Sequence, residues 1–428
     1  MSQKSNKSAI HPLENSRGDS SRAKAPTKKL LLTAKSRGSR VGRMTDLSII
    51  YLDYAASTPV DKRVNELMAD ISVRHFGNAS SVHSFGLEAK SILEEAREKI
   101  AGLLSVKSDE IIFTSSGTES VNLAIFGIAH AYQSHGKHIV TSKIEHLSVL
   151  NTCRQLEKEG FKIDYVPVEK NGIVDPVKII KTVRPDTVLV SVQYANNEIG
   201  TIQPIREIAK KLKMADLSVP VFHTDACQAA GFLNIRPEIL GVDMLSFNGS
   251  KIYGPKGIGV LFKKSKIQLE PMFYGGSQER GLRAGTENIA LTAGIAFALE
   301  LVEKNKGKEA KRLAGLRDWL IEKIQKEIPE TKLNGDAQKR LSNNINISFK
   351  DIDGEILMLG LNRQGFAIST GSACTISETG PSHVISALGA TKGWGNLRIT
   401  LGRGTTHKDL EKFLEVLKKE VERRRKIT

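Results

Sequence analysis

The sequence predicts an α/β fold in which helices cover both faces of a mainly parallel sheet, with a smaller α+β domain after it. Short runs rich in valine and isoleucine, typical of buried strands, alternate with amphipathic stretches typical of helices. Such alternation is characteristic of parallel sheets, whose strands are joined by helical crossovers. After about residue 305 the alternation stops and charged helices predominate. With 428 residues, the chain is long enough for a large and a small domain.

The individual elements follow from the spacing of apolar residues. In the first part of the chain, strands are predicted at 48–52, 111–114, 138–142, 162–168, 187–193, 219–223, 242–245 and 258–262. Helical spacing predicts helices that begin near residues 85 and 117, and others at 148–159, 205–213 and 290–303. In the second part, helices are predicted at 309–327, at 354–361 and from about 406, and strands at 344–349, 367–369 and 397–401.

Residues 1–43 form a basic, serine-rich leader without apolar periodicity, which predicts disorder. The leader holds eleven Lys or Arg against Glu14 and Asp19, so it accounts for much of the net charge of +16. We favour translation from Met44, just before the first predicted strand, over an organellar targeting leader or a basic interaction arm. The remaining chain is moderately basic, and its charge does not require nucleic acid as a partner.

Composition also restricts where the protein works. No apolar run reaches the length of a membrane span. The three cysteines, Cys153, Cys227 and Cys374, match neither a zinc pattern nor a disulfide framework, which indicates a reducing compartment. We therefore predict a cytoplasmic protein, or an organellar one if residues 1–43 are a transit peptide.

Polar side chains of complementary chemistry follow the carboxyl ends of several predicted strands. They are His146, Asn197, Asp225, Gln228 and Lys251. Because ligands bind beyond the carboxyl ends of the strands in such sheets, we expect these residues to share one site. A single residue of this kind would carry little weight, whereas the set indicates a catalytic or binding centre.

An anion site is predicted where strand 111–114 runs through Ser-Ser-Gly-Thr into a helix. The first amides of a helix have no acceptor within the helix, and the helix dipole favours negative charge there. Gly117 would let an anion approach the backbone, and Thr118 adds a hydroxyl. An ordinary helix cap is an equally good interpretation of this loop alone.

Lys251 and Cys374 lie in loops of small residues. The turn around Lys251 is rich in glycine and could hold a desolvated amine that forms a Schiff base, although a surface hairpin is favoured by that turn alone. Cys374 lies in a polar, glycine-containing stretch, where a reactive thiol is at least as plausible as a buried apolar residue. The stretch 275–288 contains too many glycines for an ordinary connection of its length, which indicates a functional loop.

From about Ile50 to its end, the chain resembles the cysteine desulfurases of the NifS/IscS type, within the class V aminotransferase group of pyridoxal phosphate enzymes. Ten motifs occur in order and at consistent spacing: YLDYAASTP, GNASSVHSFG, SSGTES, SKIEH, NNEIG, HTDACQ, GSKIYGPKGIG, GGSQERGLRAGT, STGSAC and LRITLGR. The resemblance implies a fold-type I enzyme with a seven-stranded sheet in a large domain, residues 58–305. Residues 44–57 and 306–428 would form a small domain that carries the cysteine loop.

The resemblance implies a role for each matching residue. Lys251 is similar to the lysine that binds pyridoxal phosphate covalently, and Asp225 to the carboxylate that keeps the ring nitrogen protonated. His146 is similar to the histidine that stacks on the ring and transfers protons. The other implied cofactor ligands are Gly117, Thr118, Asn197, Gln228, Asn248, Ser250 and Thr286. Thr286 matches a ligand supplied by a partner subunit, which implies a homodimer.

The implied reaction converts L-cysteine to L-alanine. Arg398, together with Asn197, resembles the ligands of the substrate carboxylate, and Cys374 falls on the nucleophile that retains the sulfur as a persulfide. The implied partner is a sulfur-acceptor protein of iron–sulfur cluster assembly, tRNA thiolation or both, without a membrane or nucleic acid. No resident metal is implied, although Cys374 could contact a cluster transiently. Two alternatives are a selenocysteine lyase-like enzyme and a non-catalytic pyridoxal phosphate-binding interaction protein.

The chain departs from the family pattern in a few places. Ser250 stands where the family commonly has histidine, which removes one phosphate donor, and Ala79 replaces a usual proline. The stretch from Cys374 to Gly389 is long, as in the branch that passes sulfur to scaffold proteins. We see no extended C-terminal tail of the kind used to dock an iron–sulfur scaffold, so the acceptor stays open.

Overall fold

The computed structural model describes residues 49–215, 220–371, 382–389 and 393–426. Its strands in chain order are β1 (Ile50–Tyr51), β2 (Ile111–Thr114), β3 (His138–Ser142), β4 (Lys162–Val166), β5 (Thr187–Ser191), β6 (Val221–Asp225), β7 (Met244–Asn248), β8 (Gly259–Lys263), β9 (Thr331–Leu333), β10 (Asn344–Lys350), β11 (Phe366–Ala367) and β12 (Trp394–Thr400). The predictions for residues 1–43, Met44 and Cys374 lie outside the described residues.

The helices are interspersed with these strands. In chain order they are α1 (Lys62–Arg74), α2 (Ser84–Leu104), α3 (Gly117–Ala131), α4 (Leu147–Lys158), α5 (Pro176–Thr182), α6 (Ile205–Met214), α7 (Pro237–Leu240), α8 (Ile289–Glu327), α9 (Gly354–Arg363), α10 (His383–Ala387) and α11 (His407–Arg425). No helix among the described residues is both long enough and apolar enough to cross a membrane.

A seven-stranded sheet forms the centre of the fold, in the order β2-β8-β7-β6-β5-β3-β4. Strand β8 runs antiparallel to both of its neighbours, and the pairs from β7 through β6, β5 and β3 to β4 are all parallel. This confirms the predicted mainly parallel sheet. The carboxyl ends of β3, β5, β6 and β7 consequently meet at one edge, which is where the polar residues were predicted to gather.

The apolar residues of this sheet alternate between two cores, because successive side chains of a strand point to opposite faces. Ile139, Leu189 and Leu261 pack with helices α3 and α4 on one face. Val140 and Val190 pack with helices including α2, α6 and α8 on the other. The sheet is therefore covered on both sides, and only its edges are left for a ligand.

A third core surrounds the antiparallel sheet of order β12-β10-β9 and includes residues of α9 and α11. Helix α8 belongs to two cores: Leu299 and Val302 pack near the large sheet, and Leu320 and Ile324 pack near the small one. The predicted break between helices 290–303 and 309–327 was wrong, because α8 is continuous from Ile289 to Glu327. The division into domains near residue 306 stays a prediction, and it falls inside this helix.

Candidate active site

The carboxyl edge of the large sheet borders a cavity of about 220 Å³. Most of the residues predicted from sequence line it: Gly117, Thr118, His146, Asn197, Asp225, Gln228, Asn248, Lys251 and Arg398. The lining also includes residues that sequence reasoning did not select: Ala55, Ala56, Ser148, Gln193, Ala195 and Cys227. Residues from distant parts of the chain are thus brought to one place by the parallel strands.

Lys251 is presented by a tight turn after β7. The chain leaves Asn248 through one turn of 3₁₀ helix, Gly249–Lys251, before it returns as β8. A Cβ atom added to Gly249 would lie 2.4 Å from the carbonyl oxygen of Pro255, so only glycine fits there. The Nζ of Lys251 donates to the carbonyl oxygen of Ala56. The small residues of this turn therefore place the amine at the cavity.

Asp225 ends β6, one strand away from Lys251. Its carboxyl group is buried, and Oδ1 accepts a hydrogen bond of 2.9 Å from the backbone N–H of Cys227. Burial is the main cause that raises the pKa of the Cys227 thiol well above its usual value, and the nearby Asp225 carboxylate raises it further. Burial also raises the pKa of Cys153 to about 12. Both of these cysteines are therefore thiols rather than thiolates at neutral pH.

His146 follows β3 and caps helix α4. Its Nδ1 accepts from the backbone N–H of Ser148 over 3.1 Å and lies 2.8 Å from the Ser148 hydroxyl. Since Nδ1 is an acceptor in the first contact, the ring proton of a neutral His146 lies on Nε2. The ring is thereby fixed in one orientation at the cavity wall.

Glu145, directly before His146, is a carboxyl group that sequence reasoning missed. Its side chain is completely buried, and it accepts from the Ser142 hydroxyl and from the backbone N–H of Gln193. Burial raises the pKa of Glu145 to about 8. In the sequence, an acidic residue between a strand end and a histidine is only weak evidence for a buried carboxyl group, because residues at such positions are usually exposed.

The start of α3 is the place where an anion site was predicted, and the site stays a prediction. The side-chain oxygen of Ser116 caps helix α3 by accepting a hydrogen bond of 3.1 Å from the backbone N–H of Glu119. This cap does not engage the backbone N–H groups of Gly117 and Thr118. A Cβ atom added to Gly117 would lie 2.6 Å from Sγ of Cys227 and 2.8 Å from Nδ2 of Asn248. The absence of a side chain at Gly117 therefore keeps this end of the cavity open to an anion.

Arg398, on β12, reaches the cavity from the small sheet. Its side chain is 2 % exposed, and Nη2 donates to Oδ1 of Asp53 over 2.8 Å. Nη1 donates to the carbonyl oxygen of Asn197 over 3.2 Å. The Nε atom is buried and has no partner among the described residues. A buried guanidinium with a donor to spare is suited to binding a carboxylate. Sequence reasoning missed Asp53.

Other predicted ligands lie apart from the cavity lining. The Ser250 hydroxyl donates to Oδ1 of Asn248 over 3.4 Å, and Thr286 is exposed to solvent. Neither residue is among the described residues that line the cavity. Gln228 lines it, and its side-chain amide donates to the carbonyl oxygen of Ala55 over 3.0 Å. The roles of Ser250 and Thr286 as phosphate ligands stay predictions.

Comparisons with known proteins place this architecture in a family. The model for the family described as aminotransferase class-V matches residues 50–413. The chain is 49% identical to "Cysteine desulfurase IscS" of Dictyoglomus turgidum over 381 residues, which cover 89% of this chain and 96% of that protein. It is 45% identical over 380 residues to "Cysteine desulfurase IscS 1" of Archaeoglobus fulgidus, covering 88% of this chain and 98% of that protein. A solved structure named "NIFS-LIKE PROTEIN" has a TM-score of 0.82 at 34% identity, covering 87% of this chain and 99% of that one.

Proposed function

Because this chain belongs to the aminotransferase class-V family, among its cysteine desulfurases, we propose that it binds pyridoxal phosphate at Lys251 and passes sulfur from L-cysteine to Cys374. The single observation that carries the cofactor assignment is one cavity that brings together a lysine, a buried aspartate and a histidine from three separate strand ends. Those groups suit an amine ligand, a partner for the ring nitrogen and a proton carrier.

The residues present fit pyridoxal phosphate. Lys251 would hold it through its amine, and the Asp225 carboxylate would keep the ring nitrogen protonated. The amides of Gly117 and Thr118 would bind the phosphate, in the space that a Cβ atom on Gly117 would fill. Bound there, the cofactor supplies an electron sink for the electrons released at the α-carbon of the substrate.

The chain's own residues perform the remaining tasks. Arg398 binds the substrate carboxylate and so orients the amino acid. The Nζ of Lys251, released when the amino group of the substrate takes its place, accepts the α-proton, and His146, with its ring proton on Nε2, exchanges protons within the cavity. The Cys374 thiolate attacks the substrate sulfur, so the S–S bond forms as the C–S bond breaks. The carbon that loses sulfur gains a proton, which yields alanine and a persulfide on Cys374.

The two cysteines of the described residues are poor nucleophiles, which supports the assignment of Cys374. Cys227 lines the cavity, but burial and Asp225 raise the pKa of its thiol. Cys153 is fully buried in the core, and its pKa is about 12. Neither is available as a thiolate at neutral pH, whereas the sequence around Cys374 is polar and rich in small residues.

We propose that the working enzyme is a homodimer in which Thr286 completes the partner's phosphate site. An apolar surface supports this proposal: Val73, Phe76, Val82, Phe85 and Leu87 are all exposed, within one short stretch of chain. The rings of Phe76 and Phe85 lie 5.4 Å apart. Exposed clusters of large apolar residues of this kind are typical of protein interfaces.

The acceptor of the sulfur is proposed to be a protein, either an iron–sulfur scaffold or a tRNA thiolation relay. A cytoplasmic location fits the cysteine usage of the sequence.

Ser250, in place of histidine, is proposed to donate its hydroxyl to the phosphate, in exchange for its contact of 3.4 Å with Asn248.

Replacement of the lysine tests the proposed function. In Lys251→Ala, we expect the yellow absorbance of the bound cofactor to disappear and alanine formation from cysteine to fall by roughly 10²- to 10⁴-fold, because the amine is both ligand and base. Lys256→Ala is the matched control, since Lys256 is an exposed lysine of the same turn. Unchanged absorbance and turnover in Lys251→Ala would refute the assignment.

A further inference from the structure

Glu198 is a buried carboxyl group that the proposed reaction leaves unused. It follows Asn197 in the loop after β5, and its side chain has no exposed surface. Its N–H donates to Oδ1 of Asn196 over 2.8 Å, and its carbonyl oxygen accepts from the side chains of Asn344 and Asn346 on β10. These hydrogen bonds fix the backbone, so the carboxyl group has a defined position between the two sheets.

This carboxyl group lies beside the two described residues that flank Cys374 most closely in the sequence. The hydroxyl of Ser382, where the chain resumes, donates to Oε2 of Glu198 over 2.6 Å. Gly371, where the preceding stretch ends, packs so closely that an added Cβ atom would lie 3.2 Å from the same oxygen. Cys374 lies between these two residues in the sequence, so Glu198 is hydrogen-bonded to the residue at one end of the segment that carries Cys374 and lies near the residue at the other end.

Both ends are also tied to the active-site cavity. Ser369 and Arg398 exchange two backbone hydrogen bonds, of 3.2 and 2.6 Å. The Nε2 of His383 lies 2.9 Å from the carbonyl oxygen of Glu145, the residue before His146. The segment with Cys374 therefore begins beside the arginine proposed to bind substrate and ends beside the histidine proposed to move protons.

The second oxygen of Glu198 has an unusual environment. Oε1 is buried and lacks a hydrogen-bond partner among the described residues. A buried carboxylate oxygen that finds no donor within the described residues is costly, so a purely structural role there would favour an amide or an apolar residue at this position.

We propose that Glu198 is a positioning residue for sulfur transfer, which holds the ends of the Cys374 segment beside the cavity through Ser382. The proposal rests on the proposed function, in which Cys374 accepts the sulfur. Because Glu198 is not among the described residues that line the cavity, we assign it to the step that follows substrate binding. Loss of the carboxylate should therefore slow persulfide formation and leave cofactor and substrate binding unchanged.

Single-turnover kinetics of the holoenzyme test this. Glu198→Gln and Ser382→Ala should each slow formation of the Cys374 persulfide by about three- to tenfold, which corresponds to one weakened charge-assisted hydrogen bond. Cofactor absorbance and the KM for cysteine should stay at wild-type values. The double variant should be no slower than the slower single variant, because both changes remove the same interaction.

Two further variants separate positioning from folding. Ser382 also accepts from the N–H of Val384 over 3.1 Å and caps α10, so Ser382→Thr, which keeps both bonds, should restore a near wild-type rate. Ser386→Ala changes an exposed serine of the same helix and should have no effect.

The proposal is overturned if Glu198→Gln forms persulfide at the wild-type rate, or if cofactor binding and rate fall together. The proposed function itself fails separately, if Cys374→Ala keeps its activity.

Discussion

At the scale of single residues, Asp53 determines how Arg398 is presented to the substrate. The two residues are far apart in sequence, and their side chains form an ion pair of 2.8 Å at the cavity. Nothing in the local sequence of Asp53 identifies it as the partner of Arg398, because the contact forms only when β12 lies next to the first strand. The charge-bearing residues that follow strands were predictable, whereas the partners that orient them were not.

Removal of Asp53 tests this orienting role. Asp53→Ala should raise the KM for cysteine by about tenfold, because Arg398 loses a charge-assisted hydrogen bond that fixes its guanidinium. Asp53→Asn, whose amide oxygen can still accept, should have a smaller effect. Steady-state kinetics on both variants measure the change. A KM below the wild-type value in Asp53→Ala would show instead that the carboxylate competes with the substrate.

At the scale of elements, most strands were predictable, whereas the short strand β9 and the continuity of the longest helix were not. Strands 111–114 and 138–142 were predicted with their correct bounds, because their buried apolar runs are clear. The helices predicted at 290–303 and 309–327 are one helix, and Gly307 lies in its interior. Helix α8 continues there because both of its halves are packed into cores, and packing overrides local propensity.

Strand β6 shows the same effect at a strand end. The predicted strand 219–223 ends two residues before the observed one, which includes Thr224 and Asp225. Both residues are polar and resemble a loop in sequence, but both are buried between neighbouring parallel strands. The position of Asp225 at the cavity therefore depends on sheet pairing that local sequence does not encode.

The loop 275–288 is anchored by a buried ion pair that the sequence did not reveal. Arg97 of α2 donates two hydrogen bonds, of 2.8 and 2.7 Å, to the carboxylate of Glu279. The same carboxylate accepts from the N–H of Phe113 over 2.8 Å. Glu279 and Arg280 have positive φ angles of 45° and 59°, so the anchor holds the loop in a conformation that side chains rarely adopt.

Breaking that pair should destabilise the fold strongly. Arg97→Met is expected to lower the free energy of unfolding by about 3–5 kcal/mol, because it leaves Glu279 buried without its cation. Lys178→Met is the control: its pair with Glu169 is exposed and screened by solvent, so its loss should change the stability much less than Arg97→Met does. Urea denaturation of the holoenzyme compares the two. Similar small effects would show that the Arg97 pair is not an anchor.

At the scale of the whole molecule, the large sheet and the small sheet share the site between them. Lys251, Asp225 and His146 come from the large sheet, whereas Arg398 comes from β12 of the small one. The alternation of strands and helices predicted the mainly parallel sheet, and the strand ends and the start of α3 predicted part of the cavity lining. Asn248 and Arg398 followed only from the resemblance to a known family. The sequence did not predict the contacts between sheets, because these join residues from opposite ends of the chain.

The stability of the whole molecule should depend on pH through Glu145. Burial raises the pKa of this carboxyl group from 4.5 to about 8, so the folded state holds its proton more tightly than the unfolded state. The resulting stabilisation is complete below about pH 4.5 and is lost as the pH rises to about 8. Glu145→Gln stays neutral, so its free energy of unfolding should rise relative to the wild type across this range.

His223 acts in the opposite direction and must be considered in that measurement. Burial lowers the pKa of His223 from 6.5 to about 4, so its contribution to stability is lost as the pH falls through that interval. Because both proteins contain His223, the difference between Glu145→Gln and the wild type cancels its effect. A pH-independent difference in urea denaturation would contradict the raised pKa of Glu145.

The central claim, that this chain moves sulfur from cysteine to Cys374, is tested most directly by mass spectrometry of the holoenzyme after one turnover. We predict that the peptide with Cys374 gains the mass of one sulfur atom as one alanine is released, and that Cys374→Ala gains no sulfur and forms no alanine from cysteine. Cys153→Ala, which removes a thiol buried in the core, should behave as the wild type. Alanine formation from cysteine at the wild-type rate in Cys374→Ala, or persulfide on Cys227, would contradict the claim.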